Sequence, residues 1–382
     1  MSKATIDRLK TELDSRFRWL VEWLNENDLD YAVIIKEEIE VQSGNYLYYG
    51  GALTSGEYGA IVVDSSGDRS AIVHEYSFER VKNSGLYSRV FEIRQSIEEL
   101  VATLRKLVKD SNTAIDSSAT QNATNLLRSG GINMADKNLR EFVFSQRAVK
   151  SEFEVHEMET AIGIAKRALE STIQGFKSGK ITEDISRSLN KNILDEGGTG
   201  TSFETDVRIR RNLDEAETRK LAKGDLILFD FGAKLSSMYL SDVGRTIPFS
   251  ARGDTKIRDF MNDVYSIKRA GLKKIVSGHS GNQVRAEIDQ VIHEHGYDST
   301  HRPGHQIGLN VHEPFGPALA YGEENSEQLQ NGNVVTWEPG IGLAKNKDKL
   351  YRNRFGMAHM EDMVLVGSPS KTLGNFKLEF SE

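Results

Sequence analysis

Four acidic residues of this chain stand where acids are costly. Asp230 ends the apolar run Leu226-Ile227-Leu228-Phe229. Asp242 lies in Ser241-Asp242-Val243-Gly244-Arg245-Thr246, Glu338 in Thr336-Trp337-Glu338-Pro339-Gly340, and Glu361 in Met360-Glu361-Asp362-Met363-Val364. A carboxylate inside an apolar strand must be paired, hydrogen-bonded or metal-bound. Taken alone, Asp230 is explained as well by turn amides at a strand end, and Asp242 by a pair with Arg245. Three of the chain's 9 histidines, His301, His305 and His312, also fall within one short segment. The step from His301 to His305 is not a helical zinc motif, because Pro303 and Gly304 interrupt it and no Glu follows the first His. Taken together, these acids carry about four negative charges, which cannot share one site without cations. Two divalent ions would balance them, and oxygen ligands with an imidazole suit Mn, Co, Fe or Zn. Such a pair lowers the pKa of a bridging water and clamps a developing oxyanion.

The elements that must position these residues are legible in outline. Ile6, Leu9, Leu13, Phe17, Leu20 and Leu24 form the stripe of an amphipathic helix. Tyr31–Ile35, Tyr58–Val63 and Ser70–Val73 read as short buried strands, and a helix fits Ile97 to Val108. This alternation predicts an α/β domain over residues 1–145, with both faces of a sheet covered. The pattern restarts at 146. Ser151 and Glu154 form a capping box ahead of a stripe through Met158, Ile162, Ala165, Leu169, Ile173 and Phe176, with Gly179 as its stop. Further helices fit 182–195, 255–277 and 283–295, and strands fit Asp225–Phe231, a partner near 239–247, and Val334–Glu338. Residues 146–382 therefore read as α+β, helices on a curved antiparallel sheet.

Composition sets the outer bounds. The chain has 382 residues, a prior of two or three domains at roughly 150 residues each. Its net charge is −7 and its pI about 5.8, without long basic runs, which argues against nucleic acid or an anionic membrane as partner. No apolar run reaches the roughly 18 residues of a membrane span, and the charged opening lacks a signal-peptide core. The absence of cysteine excludes a thiolate zinc site and a cysteine nucleophile. The expectation is a cytoplasmic protein, with a homodimer as the common default.

The ordered set Asp230, Asp242, His305, Glu338 and Glu361, inside DFGA, SDVGRT, GHQIGLNVHE, TWEPGIG and MEDMVLV, resembles the metallopeptidases of the pita-bread fold, a family that includes methionine aminopeptidase, aminopeptidase P and prolidase. Arg147-Ala-Val-Lys-Ser-Glu-Phe-Glu-Val is similar to the start of its catalytic domain. Asn45-Tyr-Leu-Tyr-Tyr-Gly-Gly resembles the creatinase-like extra domain of the prolidase and aminopeptidase P branch. The resemblance implies two divalent metal ions. Asp230 would chelate one, Asp242 and Glu361 would bridge both, and His305 and Glu338 would each complete one shell. It further implies that Glu338 moves the proton from a metal-bridging water to the leaving nitrogen. His312 would hydrogen-bond the tetrahedral intermediate and His301 would line the leaving-residue side. Thr246 and Thr336 would orient ligating carboxylates. The substrate would be a peptide, cut before proline; the branch likeness alone suggests proline.

The sequence departs from the family at several positions. Leu213 stands where a substrate-contacting histidine is usual, His359 replaces an arginine two residues before the last Glu, and Gly342 replaces a tyrosine. The separation of 12 between Asp230 and Asp242 is one residue longer than usual. A bulge or longer turn over Lys234–Tyr239 would absorb it; otherwise Asp242 would face the wrong side of the sheet. Arg208, Arg210 and Arg211 are ordinarily a solvated strand edge, but a guanidinium fork there could meet a substrate carboxylate where the family histidine is missing. Two readings follow: a working dinuclear peptidase, and a family member that binds a peptide-like ligand in the same cleft without cutting it. A creatinase-like hydrolase is less supported, since that branch does not keep the metal ligands.

Overall fold

The computed structural model describes residues 3–36, 44–50, 53–54, 58–94, 96–116, 121–211, 217–251, 253–342 and 358–374. The chain divides into two compact units, Met1–Arg147 and Ala148–Glu382.

In the first unit the order is α1 (Lys3–Glu26), β1 (Tyr31–Lys36), α2 (Gly44–Tyr48), β2 (Gly59–Asp64), β3 (Arg69–His74), α3 (Glu75–Ser84), β4 (Arg89–Ile93), α4 (Ile97–Leu107), β5 (Thr113–Ile115), α5 (Gln121–Ser129) and α6 (Leu139–Ala148). The strands form one sheet in the order β4-β3-β2-β1-β5, antiparallel at its centre and parallel at both flanks. One face carries Val33, Ile35, Val62 and Ile72 against Leu100 and Leu104 of α4 and Leu127 of α5. Helix α1 packs on β1 and β2, with Leu13, Phe17, Leu20 and Leu24 fully buried. Strands β4 and β5 have no clear alternation of apolar residues, so sequence periodicity does not reveal them.

The second unit opens with α7 (Glu152–Gln174) and α8 (Thr182–Asp195), then β6 (Gly200–Thr201), β7 (Asp206–Arg210), β8 (Glu217–Thr218), β9 (Leu226–Phe231), β10 (Ala233–Lys234) and β11 (Val243–Pro248). Helices α9 (Thr255–Leu272) and α10 (Gly281–Glu294) follow, then β12 (Asp298–Ser299), β13 (Val334–Trp337), β14 (Gly340–Gly342), β15 (Ala358–His359), β16 (Asp362–Leu365) and β17 (Lys371–Thr372). The strands pair antiparallel in the orders β11-β9-β7-β8, β13-β16-β17, β12-β14-β15 and β10-β6. Bridges from Gly244 to Glu361 and from Gln306 to Val335 tie the pieces together.

Side-chain caps start the helices. Ser151 and Ser280 close capping boxes with Glu154 and Gln283, and the Asp254 carboxylate accepts the Lys256 and Ile257 amides. Helix α7 ends earlier than its stripe suggests. Its stop is Gly175, whose amide turns back to Thr172 and Ile173, while Gly179 sits at φ +90° in the following turn. Helix α9 likewise ends at Leu272 and not near 277, because the Lys273 amide turns back to Ala270 and Gly271. The core lies between these helices and the sheet. Ile257, Phe260, Val264 and Ile267 of α9 and Val284 and Ile288 of α10 meet Leu226, Leu228, Val335 and Trp337. Trp337 fits against α9 only because residue 271 is glycine; a Cβ there would lie 2.3 Å from the indole.

Candidate metal centre

One hairpin brings Asp230 and Asp242 together. Strands β9 and β11 keep register from Leu226 opposite Pro248 to Phe231 opposite Val243, and the same register reaches Lys234 opposite Leu240. The long Asp230–Asp242 separation is therefore taken up in a turn, without a bulge. The Leu235 amide closes that turn on the Tyr239 carbonyl at 3.0 Å, and Met238 takes φ +72° at its tip. Side chains alternate along a strand, and Asp242 is two residues from Gly244, the partner of Asp230. Both carboxylates thus share one face. Helix α7 holds the turn: Tyr239 donates to Glu154 Oε1 at 2.9 Å and Ser237 to Glu157 Oε2 at 2.6 Å. At the base of the hairpin only glycine fits position 232, where a Cβ would lie 1.8 Å from the Ser241 carbonyl oxygen.

Glu361 is brought in from the other sheet. Its amide donates to the Gly244 carbonyl at 2.9 Å, and the Gly244 amide donates back at 3.2 Å. The Arg245 guanidinium holds the Glu361 carbonyl and Asp362 Oδ1, at 2.5 and 2.6 Å. Lys268 of α9 completes this buried support at Asp362 Oδ2, 2.5 Å away. Burial lowers the Lys268 ammonium to about 8, with Arg245 pushing the same way and Asp362 opposing. Burial acts on Asp362 in the opposite direction, but Arg245 and Lys268 outweigh it and hold that carboxyl low.

His305 and Glu338 flank the acids. The His305 amide donates to Thr336 Oγ1 at 3.0 Å, and Thr336 donates to Glu338 Oε1 at 3.1 Å, so one hydroxyl orients both residues. His305 Nδ1 lies 3.1 Å from the Gln306 carbonyl, which turns Nε2 toward Glu338 Oε1 at 3.4 Å and Asp242 Oδ2 at 3.6 Å. His301 Nε2 contacts Glu338 Oε2 at 3.2 Å, and the exposed His312 ring lies 4.1 Å from that of His305. Ligand atoms of Asp242, His305 and Glu361 all lie within 4.8 Å of one another, as do those of Asp230, His359 and Glu361 and those of His301, Glu338 and His359.

His359 is the residue that sequence reasoning missed. The signal was present, since an imidazole stands where an arginine is usual, but it reads as a departure until the strands are folded. Thr246 has a related surprise: its hydroxyl donates to the His359 carbonyl and accepts the His359 amide, both at 2.8 Å, and so orients that residue's backbone rather than a carboxylate. Arg208 forks onto Asp206, with bonds of 2.9 and 3.1 Å, Arg211 reaches Asp225 at 3.0 Å, and Arg210 is fully buried. Gly342 is buried in β14, and Leu213 lies outside the described residues.

The charges match a cation. Burial raises the Glu361 carboxyl well above the usual range, and Asp242, Glu338 and Asp230 raise it further. Burial acts the same way on Glu338, but the His301 hydrogen bond and the surrounding histidines outweigh it and hold that carboxyl low. Glu361 Oε1 is buried with no hydrogen-bond partner among the described residues. An orphaned carboxylate oxygen among mutually repelling acids and imidazoles fits a divalent ion in both charge and donor type.

Known proteins resemble this chain in family and in fold. The model of metallopeptidase family M24 matches residues 156–368. The chain is 24% identical over 364 residues to an Xaa-Pro dipeptidase of Pyrococcus horikoshii, covering 93% of this chain and 95% of that protein. The crystal structure of the prolidase from Pyrococcus horikoshii OT3 superposes with a TM-score of 0.75 at 22% identity, over 96% of this chain and 100% of the other. That of an X-Pro aminopeptidase from Thermotoga maritima gives 0.75 at 24% identity, over 93% and 97%. These likenesses show the fold: a smaller α/β unit followed along the chain by a pita-bread unit. No helix among the described residues is long and apolar enough to cross a membrane.

Proposed function

Because the chain belongs to metallopeptidase family M24, we propose that it hydrolyses peptide bonds next to proline, as an Xaa-Pro dipeptidase or Xaa-Pro aminopeptidase. The observation that carries this reading is Glu361, buried and grouped within 4.8 Å both with Asp230 and His359 and with Asp242 and His305. Asp230, Asp242, His305, Glu338 and Glu361 would hold two divalent ions, Mn, Co, Fe or Zn. When bound, these ions supply the Lewis acidity that activates water and polarises the peptide carbonyl.

The chain's own residues do the rest. Glu338, kept ionised by His301 and its neighbours, takes the proton from the attacking water and returns it to the leaving nitrogen. His312, exposed beside His305, donates to the carbonyl oxygen as charge develops there. His301 borders Glu338 on the leaving-residue side. Arg208 lies on β7, the strand whose Asp206 is directly opposite Asp230, and, being partly exposed where Arg210 is fully buried, is the candidate for a substrate carboxylate. The proline preference is supported by the dipeptidase and aminopeptidase relatives; a tertiary amide without an N–H needs a dedicated pocket. A cytoplasmic homodimer is part of the proposal, as the common default.

Metal-depleted protein reloaded with Mn or Co should cleave Xaa-Pro dipeptides or N-terminal Xaa-Pro bonds and lose this activity on chelation. Asp242→Ala should empty at least one ion and abolish turnover. Metal-loaded protein that turns over no dipeptide or longer peptide would favour a binding role for the same cleft.

A further inference from the structure

We infer that His359 is a direct metal ligand through Nε2, giving the ion held by Asp230 and Glu361 an imidazole of its own. The inference rests on the dinuclear reading above and extends it to a residue that the five-ligand set leaves out.

Four observations place the ring. His359 is fully buried, and its backbone is fastened on two sides, to Thr246 Oγ1 by amide and carbonyl and to Gly340 by strand pairing. The imidazole lies on Gly244, where a Cβ would sit 2.4 Å from both Cδ2 and Nε2. Gly244 is the register partner of Asp230, so the ring stands directly beside that carboxylate. Nε2 is 3.2 Å from Glu361 Oε2, and a ligand atom of each of Asp230, His359 and Glu361 falls within one 4.8 Å cluster.

These distances suit a shared ion. Two ligand atoms at about 2.0–2.2 Å from one metal, at tetrahedral or octahedral angles, are roughly 2.8–3.6 Å apart. His305, the histidine of the five-ligand set, shows 3.4 and 3.6 Å to its own carboxylate neighbours. His359 therefore stands to Glu361 much as His305 stands to Glu338. An arginine at this position could only donate hydrogen bonds to the acids, since guanidinium has no free lone pair. A neutral imidazole has one. Each ion would then have one nitrogen ligand, which favours Zn, Co or Fe over Mn relative to an all-oxygen shell.

Zinc X-ray absorption on the loaded, full-length protein tests this, with the zinc content measured on the same samples. The expected total is two imidazoles per chain in the wild type, falling to one in His359→Gln and His359→Arg. Zinc-over-manganese selectivity should fall at least tenfold in both variants. The arginine variant restores the residue usual in the family, so a folding defect in one variant leaves the other informative. A wild-type total of one, or a total that stays at two in the variants, overturns the inference while leaving the metal centre intact. Failure of the wild-type protein to bind zinc, manganese or cobalt would remove the dinuclear reading itself.

Discussion

Adding one methyl group at Gly244 should dismantle the metal centre while leaving every candidate ligand in the sequence. The new Cβ would lie 2.4 Å from His359 Cδ2 and Nε2 and 3.0 Å from Glu361 Cβ. Ordinary carbon contacts begin near 3.5 Å, so the imidazole must retreat by about 1 Å. It cannot do so by changing rotamer alone, because the ring is fully buried and its backbone is pinned to Thr246. Overpacking of this kind costs about 1–3 kcal/mol. For a unit of this size that is a fall of roughly 2–12 °C in the melting temperature of the metal-free protein. Metal ligation tolerates displacements of only about 0.2 Å, so the larger loss should be in bound ions and in peptidase activity. Thermal unfolding with and without metal, together with metal content, separates the two effects. The companion Gly163→Ala, in the middle of α7 with no atom nearer than 3.4 Å to its new Cβ, should instead stabilise by about 0.5–1 kcal/mol. If Gly244→Ala keeps its full complement of metal, its activity and its melting temperature, the packing argument for Gly244, and with it the placement of the His359 ring, is wrong.

Other perturbations follow from the same structure. Asp362→Asn removes the carboxylate that Arg245 and Lys268 share in the interior, and should cost about 3–5 kcal/mol in urea unfolding; a loss below about 1 kcal/mol would show that the support of Glu361 lies elsewhere. Burial raises the phenols of Tyr49 and Tyr87 in the first unit far above their usual range. Their contribution is complete below pH 10 and should fall as pH rises beyond it, because the unfolded phenols ionise first. Tyr87→Phe, which deletes the donor to the Tyr49 carbonyl, should lower stability at pH 8 yet flatten the alkaline decline; parallel curves for variant and wild type would refute the linkage. Thr336→Val removes the hydroxyl that links His305 to Glu338 and should weaken metal binding by about 10–100-fold, as read by chelator competition.

The elements and much of the site were legible before folding. The capping box at Ser151, helix α8 and the apolar run of β9 depend on neighbours a few residues away, and those neighbours are written in order along the chain. Four of the five motifs stand out for the same reason, an acid within an apolar run being a local anomaly, and the fifth by its clustered histidines. Helix ends were less clear, since Gly175 and not Gly179 terminates α7 according to where the backbone amides find acceptors.

Tertiary structure alone decided the partners. Whether Asp242 shares a face with Asp230 depended on a turn of the right length, and periodicity offered a bulge just as readily. Arg245 pairs with Asp362, 117 residues away. His359 joined Asp230 because Gly244 has no side chain to keep them apart. Contacts of this kind follow from strand register and from the volume left between packed backbones, and both arise only when distant segments meet.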